Sequence, residues 1–259
     1  MSGPTRTLVY YRDLILVLLA KEFKVRYKST FMGYAWSVMH PLLLALIFFM
    51  LFHVVVKLVS VREYALYLIA GLFPWQWISN TATSASFYFL GNSSLIKKVR
   101  FHRATLVLAG VLNESAHFVI SIPVIVGFML YYHHAPRLEW LWMLPLLVLA
   151  QLVMTFGLGL LIATANLFFR DLERLATLTM HLLFYATPIV YPAERVPPEY
   201  EWIFYVNPFA SIVLCWQGLF YHSAVPLAHL GVAACWALVL LAAGSFVYAK
   251  NVWRFAEIV

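Results

Sequence analysis

The stretch that decides the fold runs from Glu22 to Pro41 and reads EFKVRYKSTFMGYAWSVMHP. Its first third carries Lys24, Arg26 and Lys28, and no further charge follows until Lys57. Cations before a long uncharged segment are typical of the cytoplasmic end of a membrane-spanning helix, because cytoplasmic loops are rich in Lys and Arg. The stretch therefore predicts a chain that enters the membrane from the cytoplasmic side.

The residues before this point, 8–32, are predicted to form an amphipathic helix along the cytoplasmic membrane surface. Leu14, Leu18 and Val25 recur at helical spacing, whereas three lysines beginning with Lys21 line up along the other side. A basic face of this kind is attracted to lipid phosphates while the apolar face contacts acyl chains. We therefore expect an interface helix ahead of the first span.

The composition excludes a soluble domain, because 63% of the residues are hydrophobic and only 11% are charged. In a soluble protein the net charge of +7 would suggest nucleic acid as a partner. In a membrane protein it is explained by basic cytoplasmic loops and anionic lipids, so no nucleic-acid partner is expected.

The apolar segments predict an all-α polytopic membrane protein of one domain, residues 1–259, with six transmembrane helices. The predicted spans are residues 33–56, 64–90, 104–132, 140–169, 175–191 and 227–248. Within residues 192–226, the stretch 202–221 is apolar enough to make a seventh crossing, but Asn207–Pro208 breaks the helix and no cation follows the stretch. We interpret residues 192–226 as a re-entrant hairpin that enters from the outer face. This topology places both termini and 14 of the 18 Lys and Arg residues in the cytoplasm.

The sequence contains no motif for ATP hydrolysis, since no glycine is followed by lysine. No loop gathers the acids or histidines that catalysis or a metal site would need, so neither is expected. Energy for uphill transport would therefore have to come from a partner.

The loop at residues 91–103 mixes cations with apolar side chains. Positive-inside bias alone explains the cations, but exposed apolar side chains favour burial against a cytoplasmic partner. The residues assigned to this contact are Leu95, Ile96, Lys97, Lys98, Val99, Arg100 and Phe101.

Four motifs together resemble those of the ABC-2 type permeases that export polysaccharides. In chain order they are RYK-x4-G-x2-W-x4-P at Arg26–Pro41, LIKKVRF at Leu95–Phe101, NLFFRDL at Asn166–Leu172, and PIVYP at Pro188–Pro192 followed by Asn207–Pro208. The third motif, read alone, is also an ordinary charged helix end. His102 stands where members of the family often carry proline.

The resemblance implies a homodimer in the bacterial inner membrane, with a separate nucleotide-binding subunit on each protomer. ATP and Mg would be bound by those two subunits, leaving this chain a permease without a cofactor or enzymatic activity. The substrate would be an undecaprenyl-pyrophosphate-linked polysaccharide, O antigen by preference, with capsular polysaccharide and teichoic acid as alternatives.

The same resemblance implies roles for individual residues. The substrate headgroup would dock near Lys24, Arg26 and Lys28. A cytoplasmic loop would contain Arg170 and Asp171. The external gate would contain Pro188, Tyr191, Pro192, Asn207 and Pro208.

Two further features of the spans have a functional and a structural interpretation. Trp75 and Trp77 lie in mid-span and, with Trp36, could line a channel by stacking on sugars. For either mid-span tryptophan taken alone, packing around the Pro74 kink is the better explanation. Glu114 is the one acid inside a predicted span, with His117 one turn on as a possible partner. It is either functional or holds helices together.

Two other classes of protein remain as alternatives. A membrane-embedded glycosyl- or acyltransferase would need a constellation of acids or histidines near one face. A passive channel or assembly scaffold would not need the apolar segment at residues 91–103. Co-purification of an ATPase with this chain separates a transporter from both.

The predicted topology can be tested with single cysteines and a membrane-impermeant thiol reagent. We expect Pro197→Cys to react from outside, whereas Lys98→Cys, Asp171→Cys and a C-terminal tag are reached only from inside. External labelling of the C-terminus would show that residues 202–221 cross the membrane.

Overall fold

The computed structural model describes residues 4–27, 35–55, 63–99 and 101–258, and this part of the chain consists of helices joined by turns, with no strand. The α-helices are α1 (Pro4–Tyr27), α2 (Ala35–Phe48), α3 (Tyr64–Tyr88), α4 (Ser93–Lys98), α5 (Ala104–Tyr131), α6 (Trp140–Phe168), α7 (Leu172–Ala186), α8 (Trp202–Val206), α9 (Ala210–Gln217), α10 (Leu227–Asn251) and α11 (Phe255–Ile258). Two π-helical segments, Phe49–Val55 and Gly218–His222, extend α2 and α9.

Four of the described helices are long and apolar enough to cross a membrane: α2 with its extension, α5, α6 and α10. The pair α8 and α9 bends by 104° and would make a fifth crossing if it formed a single span. An all-α polytopic membrane protein is therefore confirmed, whereas the count of six spans stays a prediction.

The two predicted spans that do not meet this criterion are α3 and α7. With 15 residues, α7 is roughly 22 Å long, shorter than the hydrocarbon core of about 30 Å. In contrast, α3 has 25 residues but carries polar side chains in its second half, among them Gln76, Asn80 and Thr83.

The position of α3 explains how a helix with these polar residues is accommodated. It packs against α2, α5, α6, α7 and α9. Eighteen of its 25 residues are buried. A helix surrounded by protein has little contact with lipid, so its hydropathy need not match that of a lipid-facing span. It is the central helix of the described fold.

The prediction of an interface helix is only partly tested, because residues 28–32 lie outside the described part of the chain. Leu18, on the predicted apolar face of α1, is 5% exposed and belongs to a cluster shared with α5. Lys21 Nζ donates a hydrogen bond to Asn92 Oδ1. These two side chains contact protein, where the sequence analysis predicted lipid.

Helices α6 and α10 pack with their backbones in contact, and two glycines allow it. A Cβ at Gly244 would overlap the carbonyl oxygen of Gly157, and one at Gly157 would overlap the backbone at Leu240 and Leu241. Small residues that bring backbones together are a common basis of helix packing in membranes. The contact fixes the crossing point of two of the four apolar spans.

We expect Gly244→Ala to lower the thermal stability of the purified protein, because the new methyl group forces the two backbones apart. Overpacking of this kind costs about 1–3 kcal/mol. Gly231→Ala is the matched control on the same helix, since its Cβ would meet no atom within 4 Å. Equal melting temperatures for the two variants would contradict the close contact.

Candidate functional site

A non-helical turn at residues 187–192, here called the proline turn, contains the predicted gate residues Pro188, Tyr191 and Pro192. The sequence analysis placed a span over residues 175–191, but α7 ends at Ala186. Proline disfavours the α conformation of the residue before it, and Thr187 is accordingly extended. The helix therefore ends five residues before the predicted end of that span.

Side chains from two helices satisfy the carbonyl groups of the proline turn. Tyr64 Oη donates to the carbonyl of Val190 at 2.6 Å. Tyr67 Oη lies 2.8 Å from the carbonyls of both Pro188 and Tyr191. Gln217 Nε2, at the end of α9, also donates to the Pro188 carbonyl at 3.0 Å. The turn is buried and tied to the central helix.

Asn207 connects this turn to the bend between α8 and α9. Its Nδ2 donates to Thr187 Oγ1 at 2.9 Å, and its Oδ1 accepts from the backbone N–H of Phe209 at 3.0 Å. Pro208 follows directly. The structure thus brings the two parts of the fourth motif, Pro188–Pro192 and Asn207–Pro208, into contact.

Tyr64, Tyr67 and Gln217 were missed by the sequence analysis. The sequence does contain a pattern that could have indicated Tyr64 and Tyr67. The two tyrosines stand three residues apart at the start of a predicted span, and this spacing places both hydroxyl groups on one helix face. Tyrosine at a membrane boundary is ordinarily assigned to the aromatic belt, and that general explanation concealed the specific contact.

Glu114 lies at one end of a row of polar side chains, here called the polar row. His40 Nδ1 lies 3.4 Å from Gln76 Oε1, and Gln76 Nε2 is 3.4 Å from Asn80 Oδ1. Asn80 Nδ2 donates to Glu114 Oε2 at 3.1 Å. The row joins α2, α3 and α5; Glu114 is buried, Gln76 and Asn80 are half-buried and His40 is exposed. Asn80 was not anticipated as a partner of Glu114, and the proposed contact with His117 stays a prediction.

The three predicted channel tryptophans occupy different environments. Trp77 is 2% exposed and lies 5.5 Å from the Phe118 ring; Trp75 is 6% exposed and packs between Phe184 and Phe209. Trp36 is 45% exposed. Contact of Trp75 or Trp77 with a sugar would require the surrounding helices to separate, so the structure favours packing for both, and their role in a channel stays a prediction.

The segment predicted to couple to an ATPase, residues 91–103, is helical only over α4 and the 3₁₀ turn Leu90–Asn92 before it. The expectation that its apolar face is exposed is wrong for Ile96, which is 5% exposed in a cluster with Phe89 and Phe255. The C-terminal end of the chain folds back here, because Arg103 donates to the Val252 carbonyl. Ile96 is thus covered by the chain itself.

Part of the segment nevertheless faces outward. Leu95 and Phe101 pack partly against the same cluster, whereas Val99 is 42% exposed and Lys97 and Lys98 are exposed. Arg100 lies outside the described residues. A partner that docks here would therefore contact Val99 and the lysines.

The remaining predicted residues are described unevenly. Lys24 is exposed on α1, whereas the side chain of Arg26 and the whole of Lys28 lie outside the described part of the chain. Arg170 and Asp171 are both exposed in the short link between α6 and α7. The structure does not bring the basic residues and this link into one described site.

Comparison with known proteins identifies the family. Residues 13–221 match the ABC-2 type transporter family. The chain belongs to the ABC-2 type transporter family. Two family relatives from Klebsiella pneumoniae, each named O-antigen export system permease protein RfbA, are 41% identical over 249 residues, 96% of both chains. A protein of the same name from Myxococcus xanthus is 31% identical over 255 residues, 97% of both chains. The resemblance read from the four motifs is confirmed.

Since the chain belongs to this family, docking of an ATPase on the coupling segment, residues 91–103, can be tested at its exposed residue Val99. We expect Val99→Asp to leave the fold intact, because surface substitutions usually change stability by less than about 0.5 kcal/mol. The same variant should recover less ATPase on co-purification, since it places a charge on the exposed apolar contact. Ile96→Asp should instead lose folded protein, because it buries a carboxylate.

Thermal melting and the amount of bound ATPase are measured on both variants, with Val99→Thr as the uncharged control. Recovery of the full ATPase complement with Val99→Asp would contradict docking at this residue.

Proposed function

We propose that this chain is the membrane permease subunit of an ATP-driven exporter that moves an undecaprenyl-pyrophosphate-linked O antigen across the bacterial inner membrane. One observation carries the proposal: relatives named as O-antigen export permeases are similar to this chain from one end to the other, at 41% identity over 96% of both lengths.

The energy for export is supplied by two copies of a nucleotide-binding subunit, each of which binds ATP and Mg. Each copy docks on the coupling segment of one protomer. Val99, Lys97 and Lys98 are exposed there, and they offer a cytoplasmic partner an apolar contact next to two cations. Ile96, next to this exposed surface, is buried in a cluster with residues of α5 and α6. Movement of the bound ATPase would therefore displace these helices.

Two copies of this chain form the translocation path between them. The polar row supports this arrangement, because polar side chains within a membrane face the bundle interior or a water-filled cavity. Gln76 and Asn80 are half-buried in one protomer. A second copy facing this surface would place the polar row on the wall of a water-filled path, where its side chains can hydrogen-bond to sugar hydroxyl groups.

The outer end of the path is closed by the proline turn and the α8–α9 bend. With both termini in the cytoplasm, α8 and α9 form a re-entrant hairpin, and the 104° bend between them supports this. Lys24, Arg26 and Lys28 receive the pyrophosphate at the inner face, where Arg26 offers two parallel donors and the lysines act as point charges.

The proposal is tested in a strain that lacks the gene for this chain. Expression of the chain together with its ATPase should restore surface O antigen, measured by electrophoresis of extracted lipopolysaccharide, and the two proteins should co-purify. An ATPase with its Walker A lysine replaced is the control, and it should leave the lipid-linked polymer inside. Unchanged O antigen in the deletion strain, with loss of capsule or another glycan, would overturn the substrate assignment.

The same assay separates headgroup recognition from attachment to lipid. If Arg26 binds pyrophosphate, Arg26→Lys should reduce export, because the planar fork is lost although the charge remains. Attachment to anionic lipid, worth about 1 kcal/mol per cation, would tolerate Arg26→Lys and lose function only in Arg26→Gln. Full export by the lysine variant at matched expression would remove the headgroup role.

A further inference from the structure

The ends of α6 and α10 that the predicted topology places at the cytoplasmic membrane surface carry a patch that no function above uses. The two ends are adjacent, because Arg254, just after α10, lies over the ring of Phe168, the last residue of α6. We call this surface the basic aromatic patch, and its members are Phe168, Phe169, Arg170, Lys250, Trp253 and Arg254. In this patch cations stand beside large apolar rings.

Arg254 is the cation of the patch whose surroundings are best defined. Its guanidinium carbon lies 5.4 Å from the centre of the Phe168 ring and 5.6 Å from the centre of the Trp253 ring. None of the ion pairs among the described residues involves Arg254, and its side chain is exposed. Stacking on aromatic rings holds the guanidinium group, whose paired N–H donors match the oxygens of a phosphate.

Two aromatic side chains of the patch are largely exposed. Trp253 is 68% exposed and Phe169 is 69% exposed. The indole N–H of Trp253 donates to the Lys250 carbonyl at 3.1 Å, so the polar edge of the ring is paired at the end of α10. Rings of this size are unfavourable in water, whereas the membrane–water interface accommodates them. Their exposure favours a position at the level of the lipid headgroups.

The helix that leads to the patch is itself exposed to lipid. Only 17% of the residues in the most apolar segment of α10 are buried inside the protein. Acyl chains can therefore lie along this helix as far as Lys250. A phosphate that carries acyl chains would contact both the cations and the exposed rings, whereas a free phosphate would leave the rings in water.

The charge around the patch selects the class of headgroup. Residues 168–174 and 250–254 contain four cations, Arg170, Arg174, Lys250 and Arg254, and two acids, Asp171 and Glu173. The excess of cations attracts a headgroup with a net negative charge and gives little advantage to a zwitterionic one.

We propose that the basic aromatic patch binds the headgroup of an anionic phospholipid of the cytoplasmic leaflet. Arg254 donates to the phosphate oxygens and Lys250 adds a point charge, while the rings of Trp253 and Phe169 contact the beginning of the acyl chains. The bound lipid stabilises the turn that contains Trp253 and Arg254, and the next residue, Phe255, is fully buried in the cluster that covers Ile96.

The test uses the purified complex of this chain with its ATPase in a neutral detergent. Dioleoylphosphatidylglycerol or dioleoylphosphatidylcholine is added, the lipids that stay bound are counted by native mass spectrometry, and the melting temperature is measured on the same samples. Inorganic phosphate is the probe for a site that takes any soluble anion. Arg254→Gln and Arg254→Lys change the patch. Arg12→Gln is the matched control, since Arg12 is an exposed arginine of α1 on the same predicted side of the membrane.

We expect the unmodified complex to retain several-fold more phosphatidylglycerol than phosphatidylcholine and to melt at a higher temperature with the anionic lipid. Arg254→Gln should lose this preference. Arg254→Lys should lose most of it, because the charge remains but the stacked planar group is gone. Arg12→Gln should keep it.

The lipid site would be overturned if the unmodified complex showed no preference, or if either Arg254 variant kept the full preference. An equal loss in Arg12→Gln would show general attraction to the basic surface, and an equal rise in melting temperature with inorganic phosphate would show a soluble-anion site. Loss of bound ATPase from Arg254→Gln would identify the patch as a protein contact, and each of these three results also overturns the proposal. None of the measurements involves the exported substrate, so the result is independent of the proposed function.

Discussion

The hydrogen bonds from Tyr64 and Tyr67 to the proline turn are the constraint on which the rest of the structure depends. The turn lacks helical hydrogen bonds and is buried, where an unsatisfied backbone carbonyl costs several kcal/mol. Non-helical backbone at such a place is tolerated only when neighbouring side chains replace the missing donors. Two tyrosines and Gln217 do so, and α3 and α9 must therefore lie against the turn.

This requirement accounts for the composition of α3. A helix that supplies donors at one end and the polar row in its second half cannot also be uniformly apolar. Its polar groups are acceptable because other helices surround it and supply partners; the Pro74 carbonyl, for example, accepts a hydrogen bond from Gln151 Nε2 of α6 at 2.9 Å. The apolar helices α2 and α10 differ from α3 in this respect, because only 11% and 17% of the residues in their most apolar segments are buried inside the protein.

The sequence predicted the ends of most helices to within a few residues, because changes between apolar and charged segments coincide with them. The family and the grouping of Pro188 with Asn207 could be read from motifs. Burial of Ile96 could not, because its cover comes from Phe255, more than 150 residues later in the chain. Asn80 as a partner of Glu114 was likewise hidden, since an asparagine in an apolar helix carries no signal of which neighbour it faces.

The length and placement of α3 have a mechanical consequence. Its 25 residues make a rod of roughly 37 Å, with Tyr64 fastened to the proline turn at one tip. The opposite tip adjoins Phe89, which shares a cluster with Ile96 of the coupling segment. One helix therefore has the proline turn at one end and the cluster that buries Ile96 at the other. Pro74 lies between them, at the position where α3 lacks a backbone donor, and any bending of α3 would change the distance between the two ends.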